Sequence, residues 1–203
     1  MTTYVNESFL KNGEIILPPL SRSQFYHWLK KNNSQFKGCY LIAINRDPKL
    51  LAQNQLSYID AVEVALCFEW IDSTNRKLNN ICYRRFSPRR KNSHWTELNK
   101  ERCRRLITLR QMAPEGKKVL PDLNQKYQPP EIIIKELKKN KEAYHFFIQT
   151  PNLYQRVRLD NLFFLYQRRE FDNYQKSLKR LIQYCQQKKL FGNFNDYGRL
   201  SNN

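Results

Sequence analysis

Residues 57–72 read SYIDAVEVALCFEWID and decide the fold. Ser57 is a residue type that caps helix N-termini, and the apolar residues between Tyr58 and Phe68 recur at helical spacing over a broad face. Trp70-Ile71-Asp72 then leaves the helix before a polar stretch that is rich in turn residues. The stretch therefore predicts a buried helix that runs directly into a strand.

Further strands are predicted on both sides of this helix. Residues 39–44 form a dense apolar run that is too short for a typical helix and rich in strand formers, so they predict a buried strand. Residues 81–86 follow the turn-rich stretch and stop at Pro88, which predicts antiparallel pairing in this region. Residues 14–17 stop at Pro18-Pro19, which is typical of an edge segment or an extended arm.

Helices are predicted between these strands and throughout the C-terminal part. Ser21 and Ser93 are each expected to cap a helix, because apolar residues follow both at helical spacing. From residue 130 onward the sequence carries only helical signals. These signals predict three helices, at 132–148, 153–166 and 174–190.

Together these elements predict an α+β fold, in which a small antiparallel sheet is packed by helices and followed by a helical C-terminal part. The predicted divisions are an N-terminal arm at 1–20, an α+β core at 21–120, a helical part packed on that core at 121–192, and a polar tail at 193–203. The tail is expected to be frayed because it is polar and terminal.

The chain carries a strong excess of positive charge. Among its 203 residues, 36 Lys and Arg stand against 18 Asp and Glu, which gives a formal net charge of +18. A potential of this sign favours acidic partners, namely a phosphate ligand, a nucleic acid or an acidic surface. A basic surface that serves only solubility is the plainer alternative. The sequence leaves the oligomeric state open.

The five cysteines are widely spaced, odd in number and mostly set among apolar residues. This pattern is typical of buried free thiols in a reducing compartment, and the sequence has no Cys-x-x-Cys pair that would suggest a zinc or redox site. We therefore expect neither a metal nor a cofactor. No apolar run approaches the length of a membrane span and the N-terminus lacks signal-peptide features, so the sequence predicts a cytoplasmic protein.

A basic segment between residues 76 and 105 carries the candidate site, with eleven Lys or Arg against two acids. Guanidinium groups that precede a helix N-terminus suit phosphate or carboxylate, because backbone donors, the helix dipole and arginine forks all favour an anion. The predicted anion-binding residues are Arg85, Arg89, Arg90, Ser93, Trp95 and Asn99. The predicted supporting residues are Trp70, Asp72, Arg84, Phe86 and Arg102.

The alternative is that this basic segment is structural. Strand alternation places Arg84 and Arg85 on opposite faces, so one of them points inward or toward a neighbouring element. The arginines would then form internal ion pairs with Asp72, Glu69 or Glu97, and the nearby aromatic residues would belong to the core.

The sequence shows no familiar catalytic motif. It has three histidines, and it lacks a Gly-x-Ser-x-Gly elbow, a Walker-type phosphate loop and a dinucleotide fingerprint. An enzyme acting on a phosphorylated or carboxylated substrate would need a concave pocket that includes Asp72 and the nearby arginines. We therefore expect a protein that binds rather than catalyses.

Several segments in fixed order carry a resemblance to a known family. They are Tyr58-x-x-Ala61-x-x-x-Ala65-Leu66-Cys67-Phe68-Glu69-Trp70-Ile71-Asp72, Arg85-Phe86-Ser87-Pro88-Arg89-Arg90, Ser93-x-Trp95, Asn99-Lys100-Glu101-Arg102 and Leu106-Ile107-x-x-x-x-Met112-x-Pro114-x-Gly116. Their order and spacing over residues 21–116 resemble the YdeI/OmpD-associated (bacteriocin-protection) family. Glu69 and Arg110 depart from its pattern, because the family usually has glycine there, so a tight glycine turn is not assumed at either position.

This resemblance implies a role in resistance to cationic antimicrobial peptides, bacteriocins or envelope stress, and for some members an association with an outer-membrane porin. It implies no established chemistry. The chain is thus expected to be a non-enzymatic stress and peptide-resistance protein that acts through a basic anion-binding surface. A nucleic-acid-binding protein and a small-molecule enzyme are the alternatives. Because like charges repel, any protection against cationic peptides is expected to be indirect.

Overall fold

The computed structural model describes residues 8–10, 12–42, 55–78 and 80–200. These residues form five strands and eight helices, which confirms the predicted α+β fold. The strands are β1 (Ser8–Leu10), β2 (Glu14–Ile16), β3 (Gly38–Ile42), β4 (Trp70–Leu78) and β5 (Ile81–Pro88). The helices are α1 (Arg22–Asn32), α2 (Tyr58–Leu66), α3 (Glu97–Thr108), α4 (Pro114–Lys118), α5 (Glu131–Lys138), α6 (Lys141–Phe147), α7 (Asn152–Gln167) and α8 (Phe171–Gln186).

The described chain divides into two compact units. The first comprises the residues up to Ser93 together with Cys103–Pro121, and the second comprises His94–Arg102 together with the residues from Asp122 onward. The sheet, α1, α2 and α4 belong to the first unit, and α5 to α8 belong to the second. Helix α3 contributes residues to both units.

One five-stranded sheet forms the framework of the first unit, in the order β1-β2-β3-β5-β4. The β2–β3 pair is parallel, with Ile15 opposite Cys39, and the remaining neighbours pair antiparallel. The sheet is therefore mixed rather than wholly antiparallel. The strand predicted at 39–44 is observed as far as Ile42, and its last two residues lie outside the described part of the chain.

The prediction of an edge segment or arm at residues 14–17 is wrong. Strand β2 lies between β1 and β3 inside the sheet, and all three of its residues are buried. The two prolines follow the last paired residue, so they end the strand without removing any of its hydrogen bonds. The predicted arm at 1–20 therefore supplies two strands of the sheet.

Serine caps begin α1 and α2, as predicted. Ser21 forms a capping box with Gln24, and the Ser57 side chain accepts a hydrogen bond from the Asp60 backbone N–H. Every residue of α2 except Tyr58 and Asp60 is buried, and the helix packs against α1 and β4. This apolar helix is the central element of the first unit.

Trp70 and Phe86, two of the predicted supporting residues, belong to the core. Trp70 is 1% exposed, and its indole N–H donates to the Asn33 carbonyl at 3.2 Å. Phe86 meets Phe25 of α1 edge to face, with ring centroids 5.8 Å apart. Their rings hold α1 against the sheet and leave no surface for a ligand to stack on.

Helices α5 to α8 enclose a separate apolar core that includes Leu137, Phe147 and Leu178. The single helix predicted at 132–148 is wrong, because Asn140 interrupts it and caps α6 by accepting a hydrogen bond from the Ala143 N–H. The other two predicted helices are observed as α7 and α8 with shifted ends.

The C-terminal tail is packed against α7 at Leu200, so the prediction of a frayed tail is wrong for residues 193–200, and residues 201–203 lie outside the described part of the chain. Leu200 is 3% exposed and packs with Leu153 and Val157 of α7. Asp196 is 1% exposed and pairs with the guanidinium of Arg102. A partner distant in sequence therefore anchors a segment whose local composition is polar.

Candidate ligand-binding cleft

The structure gives Arg85, the centre of the predicted anion site, an internal partner. Its Nε lies 2.6 Å from Glu14 Oε1, and its two terminal nitrogens donate to Ser73 Oγ and the Lys37 carbonyl. Burial opposes ionisation of Glu14, but hydrogen bonds led by that from Arg85 outweigh it and hold the pKa of this carboxyl below its ordinary value. Arg85 therefore joins β5 to β2, and its charge is already paired within the protein.

Arg84 and Asp72 form a second internal pair. The Arg84 Nη1 lies 3.5 Å from Asp72 Oδ2, and the same carboxylate accepts a hydrogen bond of 2.7 Å from the Tyr58 hydroxyl. The Arg84 guanidinium also lies 5.2 Å from the centroid of the Tyr58 ring. These contacts agree with the alternative in which the arginines of the basic segment form internal ion pairs. They connect β4 and β5 to the start of α2.

The remaining residues before α3 do not form a helix-terminal anion site. Arg89 is half-buried, and burial lowers the pKa of its guanidinium while Cys103 and Glu69 oppose the shift. Arg90 is exposed. Ser93 lies in a turn in which its backbone N–H donates to the Arg90 carbonyl, so it does not cap the helix.

The N-terminus of α3 binds a carboxylate of the protein itself. Thr96 replaces Ser93 as the cap, because its Oγ1 accepts from the Asn99 N–H at 3.2 Å. The Glu97 N–H donates to Asp160 Oδ2 at 3.1 Å, and His94 Nε2 lies 3.0 Å from the other oxygen of Asp160. The position that a bound anion would take is thus occupied by Asp160.

Trp95, Asn99 and Arg102 lie in the second unit. Trp95 is half-buried. Asn99 is buried and accepts a hydrogen bond of 2.7 Å from Arg102, whose other nitrogens hold Asp196. Asn99, predicted to bind the anion, and Arg102, predicted to support the site, are therefore used to anchor the tail.

A different concave site lies in the first unit, where α1, the end of α2 and the segment after α3 meet. It has a volume of about 370 Å³. Arg22, Ser23 and Tyr26 line it from α1, Cys67 lies beside the end of α2, and residues 110–114 close the remaining side. We refer to this site as the cleft.

A buried carboxylate fixes one wall of the cleft. Glu63 is 0% exposed, and its two oxygens accept hydrogen bonds of 2.7 Å from Arg22 and 2.8 Å from Arg105. Arg22 also pairs with Asp60 at 2.9 Å and donates to Gln111 Oε1 at 3.2 Å. Because a buried charge pair with both oxygens satisfied is costly to break, the Arg22 guanidinium is held in one position.

The thiol of Cys67 is not prepared for nucleophilic chemistry. Burial raises the pKa of this thiol to about 11, with smaller opposing effects that include the backbone of Ala113 and the charge of Arg22. Its sulfur lies 3.3 Å from the Glu63 carbonyl oxygen and 3.4 Å from that of Gln111. The thiol therefore stays protonated at neutral pH and lacks the thiolate that attack or metal binding requires.

Ser23 and His27 lie near each other but do not form a nucleophile–base pair. His27 Nδ1 lies 2.8 Å from the Ser23 carbonyl oxygen and 3.4 Å from the Ser23 hydroxyl. A carbonyl oxygen can only accept, so Nδ1 carries the hydrogen and cannot take the hydroxyl proton. This nitrogen is therefore not placed to act as a base toward the Ser23 hydroxyl.

Close backbone approaches shape the far side of the cleft. Arg110 has a φ of 56° at the end of α3, and the following N–H, that of Gln111, donates to the Leu106 carbonyl at 2.8 Å. At Gly116 an added Cβ would lie 2.6 Å from the Leu66 carbonyl oxygen, so only glycine lets α4 approach the end of α2. A tight turn, which was not assumed at Arg110 in the absence of glycine, is therefore present.

The sequence prediction missed the residues of the cleft because Arg22 and Tyr26 lie far from Arg110 in the chain. One signal was available, since Met112-x-Pro114-x-Gly116 belongs to the segments that carry the family resemblance. Met112 and Pro114 line the cleft, and Gly116 positions the wall behind them.

Within the described residues, no group of three or more His, Cys, Asp or Glu is arranged to hold a metal ion. The helices of the same residues include none that combines the length and apolarity needed to span a membrane.

Comparisons with curated proteins and with solved structures find no match. A family model described as a domain of unknown function (DUF8412) matches residues 17–119, which is just over half of the chain and includes every residue that lines the cleft. The cleft thus lies inside a segment defined by a family model, and the chain belongs to the DUF8412 family.

Proposed function

We propose that this protein is a non-enzymatic binding protein whose cleft takes a small organic anion, and that it acts in stress or antimicrobial-peptide resistance in the manner of the YdeI/OmpD-associated proteins. The observation that carries the ligand proposal is Arg110 at the rim of the cleft. It is exposed, and it has no carboxylate partner within the part of the chain that the structure describes. The other cleft arginine, Arg22, is already neutralised by Asp60 and Glu63.

The lining of the cleft supports a ligand with both an apolar and a charged part. The Tyr26 ring is fixed edge to face on Phe68 at 4.9 Å, and Met112 and Pro114 add apolar surface beside it. Pockets for small organic ligands have volumes of roughly 300–1,000 Å³, so a cleft of about 370 Å³ suits a small member of this class. An aromatic or aliphatic carboxylate or phosphate ester meets these conditions.

Backbone conformation supports the resemblance on which the biological role rests. Glu69 and Arg110 have φ values of 63° and 56°, in the left-handed region that glycine adopts most easily. These are the two positions at which the YdeI/OmpD-associated pattern has glycine. The backbone that this pattern requires therefore occurs here with other side chains.

A cytoplasmic location is part of the proposal. All five cysteines are free, and four of them are buried, which suits a reducing compartment. The porin association known for some YdeI/OmpD-associated proteins would need export, so we propose that any protective role is indirect. A net charge of +18 also repels cationic peptides at long range, which favours an anionic ligand as the intermediary.

The geometry favours the two alternatives less. A nucleic-acid interface needs a continuous row of available cations, but Arg84, Arg85 and Arg105 are engaged in internal ion pairs. An enzyme built around Asp72 needs that carboxylate to be accessible as a base, but it pairs with Arg84 and accepts from Tyr58.

Isothermal titration calorimetry tests the proposal. The purified protein is titrated with benzoate, phenyl phosphate and a short DNA duplex, at low and at moderate salt, and Arg110→Gln is compared with Lys117→Gln. Lys117 is exposed on α4 and does not line the cleft, so it controls for the loss of one charge. Saturable binding that Arg110→Gln weakens and Lys117→Gln preserves supports the proposal. Equal weakening by both substitutions contradicts it, and DNA binding that collapses with salt would favour the nucleic-acid alternative.

A further inference from the structure

A second pocket lies in the second unit, between α7 and α8. It has a volume of about 110 Å³ and brings together polar side chains from both helices. Helical spacing puts Arg158 and Asn161 on one face of α7, and Ser177 and Arg180 on one face of α8. Phe191, which follows α8, completes the lining together with two buried leucines. We refer to this site as the Arg158–Arg180 pocket.

Two guanidinium groups in this pocket contact the same aromatic ring. Their central carbons lie 4.2 Å (Arg158) and 4.8 Å (Arg180) from the centroid of the Phe191 ring. No Asp or Glu lines the pocket, and neither arginine has a carboxylate partner among the residues that the structure describes. Two like charges are therefore held close together without a counterion from this part of the chain.

Arg158 is held with part of its hydrogen-bonding capacity unused. It donates to the Phe191 carbonyl, but its Nε is buried and has no hydrogen-bond partner. Burial lowers the pKa of this guanidinium, Tyr154 opposes the shift, and the charge of Arg180 adds to it. The attraction between this guanidinium and a nearby anion is stronger than it would be for an exposed guanidinium, because less solvent screens the two charges.

Gly192 makes the position of Arg158 possible. It has a φ of +69°, and a Cβ added there would lie 2.7 Å from Arg158 Nη2. Any other residue would be strained and would displace the guanidinium. The pocket is therefore built by the backbone after α8 as well as by the helices.

We propose that the Arg158–Arg180 pocket binds the phosphate group of a small phosphorylated ligand. Two arginine forks with a hydroxyl and a carboxamide suit a dianionic oxyanion better than a single carboxylate. A volume of about 110 Å³ lies well below the range of roughly 300–1,000 Å³ for whole organic ligands, so the pocket takes the charged group while the rest of the ligand lies outside. The pocket shares no residue with the cleft, and the proposal does not depend on the function proposed above.

The test is calorimetric titration of the full chain with inorganic phosphate, with phosphoserine, and with acetate as the carboxylate control. Arg180→Gln is compared with Lys179→Gln, because Lys179 is the neighbouring exposed residue of α8 and its substitution removes the same charge outside the pocket. We expect phosphate and phosphoserine to bind in preference to acetate. Arg180→Gln should weaken this binding at least about tenfold, since it removes charge-assisted hydrogen bonds to the phosphate, and Lys179→Gln should leave it within about twofold.

Three results would overturn this proposal. The first is no phosphate binding by the wild-type chain up to about 10 mM, which corresponds to an interaction too weak for a built site. The second is an equal loss in Arg180→Gln and Lys179→Gln, which would indicate a general effect of net charge. The third is equal affinity for acetate and phosphate. Circular dichroism of both variants checks that they are folded, and Ser177→Ala provides an uncharged second variant that should also weaken binding.

Discussion

The guanidinium of Arg102 holds the carboxylate of Asp196 through two hydrogen bonds, of 2.7 and 2.8 Å, across 94 residues of sequence. Both side chains are more than nine-tenths buried. Removing one partner of such a pair leaves the other charge buried and uncompensated.

Asp196→Ala is therefore expected to lower the free energy of unfolding by about 3–5 kcal/mol. Urea denaturation measures this loss, and limited proteolysis should show earlier cleavage near residues 193–200. Asp172→Ala, which removes an exposed carboxylate from α8, is the matched control and should change stability far less. Similar losses for both variants would contradict the assignment of Asp196 as an anchor.

Glu63→Gln is expected to destabilise the first unit by about 3 kcal/mol, because Arg22 and Arg105 would then share a neutral side chain in a buried position. The same substitution removes one of the two carboxylates that neutralise Arg22, so the positive charge beside the cleft rises and binding of an organic anion there should strengthen. Urea denaturation and calorimetry measure the two effects. Glu142→Gln changes an exposed carboxylate of α6 and serves as the control. A stability unchanged from wild type would mean that Glu63 is not held as described.

Glu69→Gly is expected to raise the free energy of unfolding by about 1 kcal/mol, since it removes the strain of a left-handed residue that carries a Cβ. Glu69→Ala removes the same carboxylate but keeps the Cβ, so it should give no gain. Thermal or urea denaturation of the two variants separates the effect of backbone strain from that of charge. Equal stabilisation by both would assign the effect to the carboxylate instead.

The stability contributed by Glu14 should depend on pH. Its pKa in the folded protein lies below the ordinary value of 4.5, so its contribution is fully present above that value and is lost as the pH falls through the folded-state pKa. The difference in unfolding free energy between wild type and Glu14→Gln should thus be largest near neutral pH and shrink below about pH 4.5. Urea denaturation across this range measures it, and a constant difference would contradict the Arg85–Glu14 assignment.

Local patterns in the sequence were sufficient to predict most elements of the fold. The caps at Ser21 and Ser57 and the apolar run that forms β3 depend on residues within one or two turns of each other. The break at Asn140 was missed because the apolar spacing continues across it and only the capping side chain marks the boundary.

The candidate site could not be predicted in the same way, because its determinants are distant in sequence. The sequence neighbours of Arg85 are typical of an anion-binding site, but in the fold β2 places Glu14 beside it, from 71 residues away in the chain. The same holds for the N-terminus of α3, where the carboxylate comes from Asp160, 63 residues beyond Glu97. A basic segment shows which charges are present, but only the fold shows which of them already have partners.

Because β2 lies inside the sheet, the segment that the family model matches begins later in the chain than the segment that forms the fold. The family model begins at residue 17, after both N-terminal strands have ended. A shorter chain cut to residues 17–119 would keep every residue of the cleft. It would turn β3 into an unprotected edge strand and leave Arg85 without its partner Glu14. It would also remove the tail that Arg102 of α3 anchors. Exposed strand edges recruit other chains, so such a fragment should self-associate more readily than the full chain. The segment by which the family is recognised is therefore smaller than the segment that has to fold.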